Sequence, residues 1–117
     1  MKTLAIDDYR NINADYVAKT FEDGVTKLKT QKWDLLYLDH DLGKYKKSGY
    51  DVMQFLAENK QFIPKIIICV SDSPGGKNQI EGMIKDIYGR VFDMRDVEAL
   101  EESETRIERI FKWQRKM

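Results

Sequence analysis

Three short apolar runs constrain this chain more than any other feature: LAI at Leu4 to Ile6, WDLLYL at Trp33 to Leu38, and IPKIIICV at Ile63 to Val70. They are continuous rather than alternating, the pattern of strands covered on both faces, as in parallel sheets. Helix-period segments lie between them. Thr20, with Asp23 three residues on, is a capping-box-like start, and Phe21, Val25 and Leu28 fall on one helical face. Val52, Phe55 and Leu56 repeat that spacing after Gly49, and Ile80, Met83, Ile84 and Ile87 repeat it after the turn signal Pro74-Gly75-Gly76. Strand and helix alternate, so the expected architecture is an open parallel sheet of about five strands with helices on both faces.

DYVAKT, Asp15 to Thr20, has the period of two of a further strand, since Tyr16 and Ala18 oppose Val17 and Lys19. Only about eight residues, Tyr9 to Tyr16, then separate it from the first strand, too few for the usual crossover helix, so the first helix is expected to be missing or reduced to a turn. GRVFDM, Gly89 to Met94, reads as a short last strand. Asp96 is placed to cap a final helix with Val97, Leu100, Ile107, Ile110 and Phe111 inward. At 117 residues, with no internal repeat, low-complexity tract or linker, residues 1–117 read as one domain.

Twenty basic and twenty acidic residues cancel, so no overall field draws the protein to duplex nucleic acid or an anionic membrane. No apolar stretch approaches the length of a membrane span, and charges arrive too early in MKTLAIDD for a signal peptide. The single cysteine, Cys69, has no partner for an internal disulfide and reads as a small buried hydrophobe. Together these features predict a soluble, cytoplasmic protein.

Chemistry collects where the apolar runs end. Asp7 and Asp8 close the first, Asp39 closes the WDLLYL run, and Ser71 closes IPKIIICV. In an open parallel sheet, ligands bind beyond the carboxyl ends of the strands, so these residues converge on the binding edge. Carboxylates brought together repel, and a hard cation such as Mg²⁺, with oxygen ligands, relieves the repulsion. Asp7 or Asp8 with Asp39 would bind it, and Asp41 is a further candidate ligand. The loop SDSPGGKNQ is equipped to hold an anion: Ser71 and Ser73 offer hydroxyls, Gly75 and Gly76 allow close backbone approach, Lys77 adds charge, and a helix begins there. Arg10 is placed to clamp phosphate in bidentate fashion. His40, the only histidine, should turn away from Asp39 and Asp41 if the strand alternation continues, and reads as a structural hydrogen-bonder. Lys44, Tyr45, Lys46 and Lys47 read as a solvated loop or a lid. Arg106, Arg109, Lys112, Arg115 and Lys116 with Trp113 read as cations near a helix carboxyl end, balanced by Glu101, Glu102 and Glu104.

The acidic pair Asp7-Asp8, Asp39, Gly49 before a crossover helix and Ser71 together resemble the receiver domain of response regulators. The segments IDDYR, LDHDLG, SGYDV and SDSPGG, within Lys2 to Tyr88, resemble more closely its offshoot, the cyclic-phosphate processing receiver domain. The resemblance implies a flavodoxin-like fold, Mg²⁺ held by the acidic residues, phosphoryl chemistry at Asp39, and contact of Ser71 with the phosphoryl group. It implies as ligand a cyclic phosphate, a nucleotide or an RNA end. Receivers also carry a lysine at the end of a fifth strand; GRVFDMRD has none, and Arg90 or Arg95 is its candidate substitute. The offshoot's histidine before Ser71 and asparagine before the proline are replaced by Val70 and Ser73. Three readings follow: a Mg²⁺-dependent phosphoesterase or phosphotransfer site, a stand-alone receiver phosphorylated on Asp39, and a binding module that holds a phosphate ligand without turnover. The chain is expected as a monomer, or as a homodimer through its last helix.

Overall fold

The computed structural model describes residues 1–43 and 46–115, with side chains described as far as residue 107. The chain order is β1 (Thr3–Ile6), β2 (Tyr16–Ala18), α1 (Phe21–Leu28), β3 (Leu35–Leu38), α2 (Gly49–Glu58), a 3₁₀ turn (Lys60–Phe62), β4 (Ile66–Cys69), α3 (Pro74–Tyr88) and α4 (Met94–Arg115). The strands form one wholly parallel sheet in the order β2-β1-β3-β4.

The expected crossover shortage between the first two strands is real, and nothing helical lies between β1 and β2. A four-residue strand spans only about 13 Å, so the connecting segment returns to the start of β1 as plain loop. Asp15 anchors the return: its carboxylate accepts from Thr3 N at 2.7 Å and its own N–H donates to Thr3 O at 2.9 Å. Thr20 caps α1 as expected, accepting from Asp23 N at 3.1 Å.

The two faces of the sheet are covered unequally. Leu4, Ile6, Leu36, Leu38 and Ile67 pack with Leu28, Val52, Met53, Leu56, Ile80 and Ile84 in one cluster that joins the sheet to α1, α2 and α3. Leu35 and Ile66, with Tyr37 and Ile68, pack instead against Val97 and Leu100 of α4. The alternation of positions along β3 and β4 assigns the two sets to opposite faces.

Four expectations fail, each for a physical reason. The sheet has four strands, not five, because Gly89 to Met94 forms no strand. Gly89 closes α3 in the left-handed conformation (φ 80°), a glycine position. Asp93 N donates to the Asp96 carboxylate at 2.8 Å while the Asp93 carboxylate accepts from Arg95 N at 2.9 Å, so a reciprocal cap starts α4 immediately afterwards. Asp93, not Asp96, is therefore the capping residue. Pro74-Gly75-Gly76 is no preceding turn but the first turn of α3, with Pro74 at its first position and Ser73 as cap. Ile107 is not inward but 53% exposed. A 22-residue helix is about 33 Å long and outruns the short strands, consistent with a long axis of 59 Å. The side chains of Ile110 and Phe111 lie outside the described residues, as do those of Arg109, Lys112, Trp113, Arg115 and Lys116. Among the described residues no helix is long and apolar enough to cross a membrane.

Candidate cation and phosphate site

Asp7 follows β1 directly, and its N–H continues the sheet by donating to Ala18 O at 2.9 Å. Its carboxylate is buried and turns the chain: Oδ1 accepts from the backbone N–H groups of Tyr9 and Arg10, both at 2.9 Å. Asp39 follows β3 in the same way, donating to Ile6 O at 2.9 Å. Its carboxylate is also buried, and its Oδ1 accepts from His40 N at 2.8 Å. Because β1 and β3 are neighbours in register, Ile6 beside Leu38, the two carboxylates emerge side by side. Asp8, exposed, completes the group: Asp7, Asp8 and Asp39 each offer an oxygen within 4.8 Å of the others. Burial and the adjacent Asp7 push the Asp39 carboxyl above its ordinary range, partly countered by Arg10.

Arg10 is the cation inside this group. Its Nη1 lies 3.1 Å from Asp7 Oδ2 and 3.7 Å from Asp39 Oδ1, and its Nη2 pairs with Asp72. Asp72 belongs to SDSPGG, and no sequence signal distinguishes it from an ordinary polar loop residue. Asp41 stands apart from the three-carboxylate group: its exposed side chain accepts at 3.0 Å from His40 Nδ1. His40 thus faces Asp41, contrary to expectation, because the strand ends at Leu38 and its alternation does not extend to residue 40. The other ring nitrogen, Nε2, lies 3.0 Å from Gln79 Oε1 on α3.

The SDSPGG loop is more self-contained than its composition implies. Ser71 continues β4 beyond Val70, whose N–H donates to Leu38 O at 3.0 Å, so it reaches the same edge as Asp39. Its Oγ accepts from Ser73 N at 3.1 Å, and Ser73 Oγ accepts from Gly76 N at 3.3 Å. Ser73 is thereby spent on capping α3. Gly75 faces open space, and Lys77 is exposed in the first turn of α3. Gly76 does permit a close approach, but the approaching group is the His40 ring: a Cβ there would meet His40 Cγ at 2.5 Å. Gly49 is equally constrained, since its Cβ would lie 2.0 Å from the Asp39 carbonyl oxygen. Lys47 sits over the Phe21 ring at 4.6 Å, and Lys44 and Tyr45 lie outside the described residues.

The family model of the cyclic-phosphate processing receiver domain matches residues 2–86. The chain belongs to that family. No curated protein matches it. Among solved structures it is similar to a response regulator protein from Burkholderia pseudomallei, crystallised with a phosphorylated aspartic acid, a calcium ion and citrate. The TM-score is 0.56 at 16% identity, covering 88% of this chain and 74% of that one. The receiver-like α/β fold is common to both. In this receiver domain the two arginines of GRVFDMRD are paired away from the acidic group. Arg90 pairs with Asp96 at 2.8 Å and Arg95 with Asp93 at 2.9 Å, both at the start of α4. Among the described residues the cation that reaches Asp39 is Arg10, from the β1–β2 loop. An all-carboxylate donor set fits a hard divalent ion, and Asp7, Asp8 and Asp39 are the residues that would hold it.

Proposed function

We propose that this receiver domain binds Mg²⁺ through Asp7, Asp8 and Asp39, and with it the phosphoryl group of a phosphate-bearing ligand. The observation that carries the reading is the convergence of three carboxylates, two of them buried, around one guanidinium at the carboxyl edge of the sheet. Burying two carboxylates side by side costs desolvation that the one guanidinium offsets only in part, since the Asp39 carboxyl stays raised beside it. A bound divalent ion supplies Lewis-acid polarisation of a phosphoryl oxygen. The chain's own groups do the rest: Arg10 offers a planar donor fork suited to phosphate, Ser71 offers a hydroxyl on the same edge, and the first turn of α3 begins beside it. The family's description favours a cyclic phosphate or nucleotide as ligand class. The buried free thiol of Cys69 supports a cytoplasmic setting.

A second reading makes Asp39 a phosphoryl acceptor: its carboxylate oxygen would attack the phosphorus of a phosphodonor such as acetyl phosphate, the P–O bond to the donor would break with acetate leaving, and an aspartyl phosphate would form. It is favoured by the position of Asp39 and by the phosphorylated aspartate of the Burkholderia pseudomallei neighbour. Calorimetric Mg²⁺ titration of wild type and Asp39→Asn, repeated with 2′,3′-cyclic, 3′,5′-cyclic and linear nucleotides, separates the two. The first reading expects Mg²⁺ binding that is lost in the variant and strengthened by one nucleotide class. A mass increase of one phosphoryl group on incubation with acetyl phosphate, absent in Asp39→Asn, selects the second. The absence of both Mg²⁺ binding and labelling refutes both readings.

A further inference from the structure

Arg10 does more than border the acidic group. Nη1 faces Asp7 Oδ2 and Asp39 Oδ1, oxygens of two of the three carboxylates a divalent ion would need. Nη2 reaches Asp72, whose side chain is 90% exposed and lies outside the three-carboxylate group. The guanidinium therefore ties the β1–β2 loop to the β4–α3 loop across the mouth of the site, with one nitrogen on the cluster and one on an outer anchor. An ion coordinated by Asp7, Asp8 and Asp39 brings two positive charges against Nη1 and neutralises the two buried carboxylates it faces, so repulsion in a partly buried setting replaces the attraction that held it there. The contact with Asp72 has no such conflict.

We infer that Arg10 is a resident counter-cation that exchanges partners: cation binding displaces Nη1 from Asp7 and Asp39, and Asp72 retains the guanidinium at the mouth, where its freed N–H groups meet the phosphoryl ligand. The inference rests on the cation reading above. It makes metal and phosphate binding mutually reinforcing, since whatever frees Arg10 from the cluster raises affinity for phosphate, and by linkage phosphate held by Arg10 raises affinity for the metal. It also assigns Asp72 a role as the anchor about which the exchange turns.

The test is Mg²⁺ titration by calorimetry, with no phosphate present, of wild type, Arg10→Gln and Arg10→Lys. In parallel, the side-chain ¹⁵Nε resonance of Arg10 is followed in wild type. Removing the competing charge is expected to tighten Mg²⁺ binding about tenfold in Arg10→Gln, while Arg10→Lys stays within about twofold of wild type. The Arg10 resonance is expected to move on Mg²⁺ addition in step with the titration. Mg²⁺ affinity unchanged or weakened in a folded Arg10→Gln overturns the exchange and leaves the cation site standing. If that variant loses its far-ultraviolet circular dichroism, the wild-type resonance decides alone, and an unmoved signal at saturating Mg²⁺ overturns the exchange. No Mg²⁺ binding by any of the proteins overturns the cation reading and the exchange with it.

Discussion

Replacing Gly49 with alanine sets two physical effects of opposite sign against each other. Gly49 opens α2, and alanine is the better helix former by up to about 1 kcal/mol, so propensity alone predicts a more stable protein. The structure predicts the reverse. A Cβ at this position lies 2.0 Å from the Asp39 carbonyl oxygen, against 3.4 Å for the near end of ordinary contact, so backbone must yield by 1.4 Å. Neither partner is a flexible side-chain end. Gly49 N also donates to His40 O at 2.7 Å, and that bond fixes the chain just after Asp39, so the strain falls on the site itself. Overpacking of this kind costs up to about 3 kcal/mol. For 117 residues the unfolding entropy is roughly 250 cal/mol/K, so about 3 kcal/mol lowers Tm by about 12 °C. Differential scanning calorimetry and urea unfolding of Gly49→Ala measure it directly. A Tm equal to or above wild type would refute the argument that Asp39 is held in place by the absence of a side chain at residue 49.

With divalent cations chelated, Asp39→Asn is expected to be more stable than wild type at neutral pH. Burial and Asp7 raise the folded-state pKa of Asp39, so the unfolded chain ionises first. Stability is therefore lost as pH rises from about 3.9 through the raised value, and the lead of the variant shrinks again on acidification; urea unfolding at pH 7 and pH 4 checks the sign. Gly76→Ala, with its Cβ 2.5 Å from His40 Cγ and 2.8 Å from His40 Cβ, is expected to destabilise by about 1 to 3 kcal/mol. In a His40→Gly background the same substitution should become neutral or stabilising, because only helix propensity remains; an unchanged cost in both backgrounds would show that His40 is not the obstacle.

Strand and helix identity along residues 3–88 was legible because it depends on local periodicity and caps. The runs at β1, β3 and β4, the Thr20 cap and the missing first crossover helix all follow from residues close in sequence. GRVFDM was misread for the same reason. Its residues have strand propensity, but Gly89 is needed to end α3 and Asp93 to begin α4, so no length remains to pair with the sheet. The long α4 shows a related failure. An apolar spacing marks which side of a helix is greasy, yet only the length of the strands decides how many of those positions meet a sheet, and Ile107 lies beyond them.

The candidate site divides along the same line. That Asp7, Asp8, Asp39 and Ser71 share one edge is determined by sequence, because each directly follows an apolar run and parallel strands put their ends together. Which groups touch is decided only by tertiary structure. The short parallel return between β1 and β2 brings Arg10 into the cluster and onto Asp72, while the distant Arg90 and Arg95 are taken by Asp96 and Asp93. Gly76 likewise accommodates His40 from another loop. Sequence distance says nothing about such pairings, since they depend on how closely two loops from different strands can approach once the sheet has set their separation.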